Sequence, residues 1–278
     1  MRKINRIKIF VNSDNKELVQ ISKDLEKELR KYSFAIVNNR PDLCISIGGD
    51  GSFLRMVREN HFNSNVLYIG VNAGTLGFLQ EINIKDTKDF VKRINDENYK
   101  IENINIQETI VNTNTKKQYY YSLNEIVIRH KDLKKIRLPL YIDNEFLECF
   151  TGDGILISTS TGSTAYNMSN GGAIVYNTLN TLSITPIAPI NNKVYNTLRS
   201  SLIIPADKKV LFKSFDDYKD LLMCIDGENK IFNNVESIET YVSSKTITCL
   251  RMNEFHFIKG INNKILNNDK LWYNDDNK

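Results

Sequence analysis

Residues 43–52 read Leu43-Cys44-Ile45-Ser46-Ile47-Gly48-Gly49-Asp50-Gly51-Ser52, an apolar run that stops abruptly in glycines. The run has the length and composition of a strand buried on both faces, and the residues from about Ser52 onward predict a helix. Strand, glycine loop and helix together form the repeating unit of parallel α/β sheets, which place ligands at the carboxyl ends of their strands. Glycines let the backbone approach a ligand and adopt φ > 0, while the free N–H groups of the next helix suit phosphate oxygens. Gly48, Gly49, Gly51 and Ser52 are therefore expected to form a phosphate-binding loop. The charge of Asp50 would repel phosphate, so it is expected to face a hydroxyl or a metal ion. The loop is not a Walker A sequence, since no Gly-Lys-Ser/Thr follows, and it lacks the G-x-G-x-x-G fingerprint.

Working outward, residues 6–12 read as a buried strand, and Asp14 with Glu17 three positions on has the pattern of a capping box. Leu18, Ile21, Leu25 and Leu29 then follow at helical spacing. Short strands are expected at 34–37, 43–47 and 66–71. Beyond about residue 100 the pattern turns β-rich, with runs at 118–128, 136–142, 145–150, 155–159, 209–213, 221–225, 237–242 and 246–251. Asp143-Asn144 and Asp226-Gly227 fit two-residue hairpin turns. The expected fold class is an α/β N-terminal domain with a mostly parallel sheet, followed by a mostly antiparallel all-β C-terminal domain. The expected division is 1–100 and 101–258, with the tail from about 259 to 278 packing back on the first domain.

Composition narrows the function classes. The 37 Lys and Arg against 33 Asp and Glu are spread along the chain, without the basic block of a nucleic-acid-binding face. The apolar run near the start is interrupted by Lys8 and ends at Asn12, too short for a signal peptide, and nothing later approaches a membrane span. A cytoplasmic protein is expected. Cys44, Cys149, Cys224 and Cys249 are far apart in apolar runs, so buried reduced thiols are expected.

Further motifs accompany the first loop. Asn72-Ala73-Gly74-Thr75-Leu76-Gly77-Phe78-Leu79 follows a strand, and Ser122-Leu123-Asn124-Glu125-Ile126-Val127 puts a polar pair inside an apolar one. In the first, Gly74 and Gly77 are readable as turn residues and Phe78 and Leu79 as core, while the polar pair of the second is either an edge-strand surface or a specific hydrogen-bonding site. The richest stretch runs from Thr151-Gly152-Asp153-Gly154 through Ser160-Thr161-Gly162-Ser163-Thr164-Ala165-Tyr166 to Gly171-Gly172. Small hydroxyl residues around glycine suit the holding of a nucleotide. The same stretch also suits a helix start capped by Ser163 or Thr164.

In order and spacing these segments resemble the NAD kinase family. Gly48 to Leu54 is similar to its GGDG segment, Asn72 to Leu79 to its N-x-G-x-L-G-F-L segment, and Asn124-Glu125 to its N-E pair. Asp153 to Tyr166 and Ala188-Pro189-Ile190-Asn191 resemble two further elements, with the register kept over roughly residues 43–230. The GGDG loop is shared with phosphofructokinases and diacylglycerol kinases, and the Thr161–Tyr166 block is the specific part. The resemblance implies ATP and NAD as substrates, a divalent ion such as Mg²⁺, homodimers or tetramers, and a site in a crevice between two domains. It implies that Asp50, beside Gly51, contacts the adenosine ribose as base or orienter, and that Asn124 and Glu125 bind adenosine. Thr164 and Ala165 would lie near the adenine, and Asp153, Tyr166, Ser169, Ala188 and Ile190 would line the nicotinamide-ribose side. Phe78 and Leu79 would cover part of the pocket, and Asp226 is expected either to face the site or only to turn a hairpin. Two positions depart from the family pattern: Ser160 where proline is usual, expected to loosen the loop, and Thr151 where arginine often stands. The alternatives are a lipid or diacylglycerol-type kinase with the same loop, or a dinucleotide-binding protein without catalysis.

Overall fold

The computed structural model describes residues 3–73, 77–213, 220–252 and 257–266. The chain forms two compact units, one of Met1–Ile104 with Ile247–Lys278 and the other of Asn105–Thr246.

In the first unit, β1 (Arg6–Phe10), α1 (Lys16–Lys31), β2 (Ala35–Ile36), β3 (Leu43–Gly48), α2 (Asp50–Glu59), β4 (Leu67–Asn72), β5 (Ile82–Asn83) and α3 (Thr87–Asn95) follow in order. The strands pair in parallel in the order β2-β1-β3-β4, with β5 beside the end of β4. Every residue of β3 and β4 is buried, because helices cover the sheet. Leu25 and Leu29 of α1 share one core with Phe90, Val91 and Ile94 of α3 and with Leu43, Ile45 and Ile47 of β3. The buried Phe53, Met56 and Val57 of α2 lie outside that cluster, where α2 packs on β3 and β4.

The capping residue of α1 is Asn15, not the expected Asp14: its side chain accepts hydrogen bonds from the N–H groups of Glu17 and Leu18 at 3.0 and 3.1 Å. The second helix also starts earlier than the sequence suggests, since Asp50 already belongs to its first turn, with Gly49 as cap.

The second unit is built mostly of antiparallel pairs. Its strands are β6 (Lys100–Thr113), which enters from the first unit, β7 (Lys117–Ser122), β8 (Glu125–His130), β9 (Ile136–Ile142), β10 (Glu145–Gly152) and β11 (Gly154–Thr159). After the short α4 (Tyr166–Ser169) come β12 (Thr181–Ile187), β13 (Leu202–Pro205), β14 (Val210–Lys213), β15 (Leu221–Ile225), β16 (Glu228–Phe232) and β17 (Val235–Arg251). One sheet runs β13-β12-β11-β8-β15-β16, and β10-β9-β14-β17 form a second run of neighbours. Ile126, Ile128, Ile155 and Ile157 from the first of these pack with Leu138, Leu140, Phe150 and Phe212 from the second in one core.

Both expected hairpin turns form. Asp143 and Asn144 (φ 48° and 69°) join β9 to β10, and Asp226 and Gly227 (φ 45° and 84°) join β15 to β16, the positive pairs of a type I′ turn. Two expected runs, 237–242 and 246–251, are one continuous strand, β17, which carries the chain back into the first unit. The single run expected at 118–128 is broken at Leu123-Asn124 into β7 and β8.

Candidate functional site

The glycine loop of the first unit stands at the carboxyl end of β3. Gly48 has φ +143°, and a Cβ there would meet the Ser52 Oγ at 2.3 Å, so this position demands glycine. Gly49 is extended and Gly51 lies within α2, which narrows the expected role of φ > 0 to Gly48 alone. A Cβ on Gly49 or Gly51 would meet nothing within 4 Å among the described residues, whose packing does not explain those two glycines. Their bare backbone lies open at a helix start, where N–H groups lack intrahelical partners.

Asp50 does not face a bare opening. Its two carboxylate oxygens accept the backbone N–H groups of Phe78 and Leu79 at 2.7 and 2.9 Å, which ties the first loop to the second. A Cβ on Gly77 would lie 2.0 Å from Asp50 Oδ1, so glycine is required for the approach. Two accepted hydrogen bonds leave the carboxylate with lone pairs to spare, and the side chain is half-buried rather than enclosed. Gln80, which the sequence gives no reason to single out, links the loops a second time. Its Nε2 donates to the Gly49 carbonyl at 2.6 Å, and its amide touches Ser46 Oγ beneath. Gly74, Thr75 and Leu76 lie outside the described residues.

The second unit gathers the other motif residues. Asp226, at its hairpin turn, accepts the backbone N–H groups of Leu123, Asn124 and Glu125 at 2.7, 2.8 and 3.2 Å. The aspartate thus turns a hairpin and fixes the N-E pair together. Gly162 packs on the same segment, since a Cβ there would fall 2.2 Å from the Asn124 carbonyl oxygen. Glu125 is buried, and its Oε2 has no hydrogen-bond partner among the described residues. Burial, and then the neighbouring Asp226, push its pKa up to about 8, while the Tyr166 backbone N–H pulls the other way.

Ser163 is not a helix cap. It is fully buried, and its hydroxyl bonds the Val175 carbonyl at 3.2 Å and receives the Val175 N–H at 3.0 Å, while Ala165 precedes α4. Thr164 and Ala165 are half-buried. Tyr166 and Ser169 are exposed, and the Tyr166 hydroxyl receives Arg129 Nη2 at 2.9 Å. Asp153 is exposed at the step from β10 to β11, where its N–H bonds the Ile187 carbonyl at 3.1 Å. Ala188 has φ 45° and Ile190 donates to the Thr151 carbonyl at 2.9 Å, so Asp153, Ala188 and Ile190 lie on adjoining turns. Thr151 itself is buried in β10. Ser160 has φ −59°, the angle a proline would fix, and its hydroxyl contacts the Leu179 carbonyl and Thr181 Oγ1. The loop is thereby tied down at the position where loosening was expected.

Asn167 also escaped the sequence reading. Fully buried, it bonds the carbonyls of Ser163 and Ala173 at 3.3 and 3.0 Å and the Thr185 hydroxyl at 2.6 Å, and so holds the Ser/Thr-rich connection in place. The nearby Gly172 is its only sequence signal: a Cβ there would collide with the Asn167 amide at 2.1 Å.

Residues 8–99 match the family model described as ATP-NAD kinase N-terminal domain, and residues 123–250 match the ATP-NAD kinase C-terminal domain. The NAD kinase of Finegoldia magna is 40% identical over 253 residues, which cover 88% of this chain and 92% of that protein. The chain belongs to the NAD kinase family. NAD kinase 2 of Bacillus licheniformis is 32% identical over 252 residues, 89% of this chain and 94% of its own length. Two solved structures share the fold. Yeast NADH kinase complexed with NADH gives a TM-score of 0.85 at 21% identity, covering 98% of this chain and 90% of its own. An NAD kinase from Archaeoglobus fulgidus in complex with ATP gives 0.69 at 19% identity, covering 90% and 94%.

Proposed function

We propose that this NAD kinase family member transfers the γ-phosphoryl group of ATP to the 2′-hydroxyl of the adenosine ribose of NAD, giving NADP. The observation that carries the reading is Asp50, whose carboxylate is clamped by two backbone N–H groups beside an open, glycine-lined helix start. A carboxylate fixed in this way orients a hydroxyl and accepts its proton. Carboxylates are weak bases toward alcohols, so positioning and electrostatics supply most of the rate and the proton passes to Asp50 late. The bare backbone at Gly49 and Gly51 and the helix start at Ser52 suit the phosphates.

In the second unit, the buried Oε2 of Glu125, which has no hydrogen-bond partner among the described residues, supports a role for Asn124 and Glu125 in binding adenosine hydroxyl or amine groups. Thr164 and Ala165 are assigned to the adenine, and Asp153, Tyr166, Ser169, Ala188 and Ile190 to the nicotinamide-ribose side. Phe78 and Leu79 are assigned to the pocket wall.

Among the described residues no three His, Cys, Asp or Glu side chains converge on a metal position. They build no cage for a divalent ion, which would arrive on the ATP phosphates, as Mg²⁺ commonly does. Bound there, it would offset phosphate charge. A homo-oligomer is supported by exposed apolar side chains on the second unit, including Phe146, Leu147, Val194 and Leu198. No helix among the described residues is long and apolar enough to cross a membrane, and the four cysteines are free, which fits a cytoplasmic location.

The test is purified protein with NAD, ATP and Mg²⁺, with NADP followed by a coupled dehydrogenase and each component omitted in turn. NADP formed only when all are present supports the kinase reading. Binding of NAD without NADP would leave a non-catalytic dinucleotide-binding protein, and phosphorylation of diacylglycerol instead would favour the lipid-kinase alternative.

A further inference from the structure

Residues 257–266 of the first unit reach the stretch that holds Asp50. After α5 (Phe257–Ile261) comes a π-helical turn, Asn262–Leu266, which carries Lys264. The half-buried Lys264 donates through Nζ to the carbonyl oxygen of Gly77, and the same ammonium lies 4.8 Å from the centre of the Phe78 ring. One turn earlier Gly260 backs the same ring, where a Cβ would come to 3.7 Å. Gly77 and Phe78 belong to the short stretch whose next two N–H groups hold the Asp50 carboxylate.

From this geometry we propose that Lys264 is a positioning residue for phosphoryl transfer, holding the Gly77–Leu79 stretch so that its N–H groups aim Asp50 at the acceptor hydroxyl. Lys264 reaches the chemistry through a relay. Its ammonium fixes the carbonyl of Gly77, the N–H on the other side of that same planar peptide is the Phe78 N–H held by Asp50, and the cation over the Phe78 ring restrains the adjoining side chain. A glycine at 77 lets Asp50 in and brings no side chain of its own to hold the backbone, so the restraint comes from Lys264. The proposal rests on the assignment of Asp50 as acceptor orienter.

The clamp requires charge on Lys264. Burial lowers its pKa from the ordinary lysine value, Asp50 and Glu81 oppose that shift, and Arg251 adds to it. Arg251 is itself engaged by Glu102 at 2.6 Å and Glu81 at 3.2 Å. The clamp is complete below the folded pKa of Lys264 and is lost as pH rises through it, ahead of an ordinary lysine.

The experiment uses the full chain as wild type, Lys264→Met, Lys264→Arg, Asp50→Asn and the Asp50→Asn/Lys264→Met double variant. Expected for Lys264→Met is a fall in kcat of about 10- to 100-fold, the scale of a misplaced catalytic group, with the KM for ATP and the Tm little changed. Lys264→Arg should recover most of kcat and move the alkaline limb of its pH profile upward. In the Asp50→Asn background, Lys264→Met should cost little more, because both act through one carboxylate. A kcat for Lys264→Met within about 2-fold of wild type would overturn the proposal, as would a full, additive loss in the double variant. Equal losses of kcat and Tm in both Lys264 variants, with no shift of the alkaline limb, would overturn it in favour of a purely structural lysine. No NADP from the wild type, or an unimpaired Asp50→Asn, would sink the underlying kinase reading instead, whatever Lys264 does.

Discussion

Asp50 keeps both oxygens against peptide N–H groups, so its replacement has two separable consequences. Asp50→Asn should lower turnover by about two to four orders of magnitude, the usual scale for a lost acid–base group. The amide can accept only one of the two N–H groups, so the Phe78–Leu79 stretch should also lose stability, about 1–3 kcal/mol for the orphaned donor. Steady-state NADP production and thermal unfolding together check both, and near-normal turnover would remove Asp50 from the mechanism. Glu125 supplies a pH test. Its pKa is raised to about 8 in the folded chain, so between the unfolded value near 4.5 and 8 the folded state keeps a proton that the unfolded state has lost. Stability from this group is therefore greatest at low pH, falls as pH rises through that window, and levels off above it. Tm should drop more for the wild type than for Glu125→Gln between about pH 5 and about pH 9, and parallel curves would contradict the shift. At this scale the candidate residues are legible as a set because glycine, aspartate and hydroxyl side chains cluster along the chain. Their supports are not: Gln80, Asn167 and Lys264 act through contacts made by folding, and nothing local in sequence marks a side chain by the carbonyl it will reach.

Elements repeat the contrast. Both hairpins were legible because Asp143-Asn144 and Asp226-Gly227 carry the residue types that tolerate positive φ. Strand β17 was read as two runs because Ser243, Ser244 and Lys245 interrupt its apolar character, although backbone pairing holds it as one element. The sequence pattern alone sets the start of α1 one residue early. Asp14 and Asn15 are both good caps in isolation, and only the backbone geometry decides between them. Asn15→Ala should therefore cost about 1 kcal/mol in denaturant unfolding, while Asp14→Ala should cost only a few tenths. The reverse order would restore the capping box expected from the sequence.

At the scale of the molecule, the first unit is made of two stretches far apart along the chain. Arg251, at the end of β17, sits almost buried between Glu81 and Glu102, and the Met252 N–H adds a bond to Glu81 at 2.6 Å. These contacts fasten the returning stretch to the opening one. Removal of the guanidinium leaves two carboxylates in a site with little water, and Arg251→Ala should destabilise the first unit by about 3–5 kcal/mol in equilibrium unfolding. A loss under about 1 kcal/mol would show that the cluster is well solvated.

The closing stretch also imposes an order of events during synthesis. Residues 105–246 are contiguous, so all the contacts within them are available once they have been translated, whereas the core of residues 1–104 includes Leu250 and Met252 and lacks them until residue 252 has been made. The portion translated first is thus completed last, and a nascent chain halted before Arg251 would hold every residue of the second unit while the first still lacked part of its core.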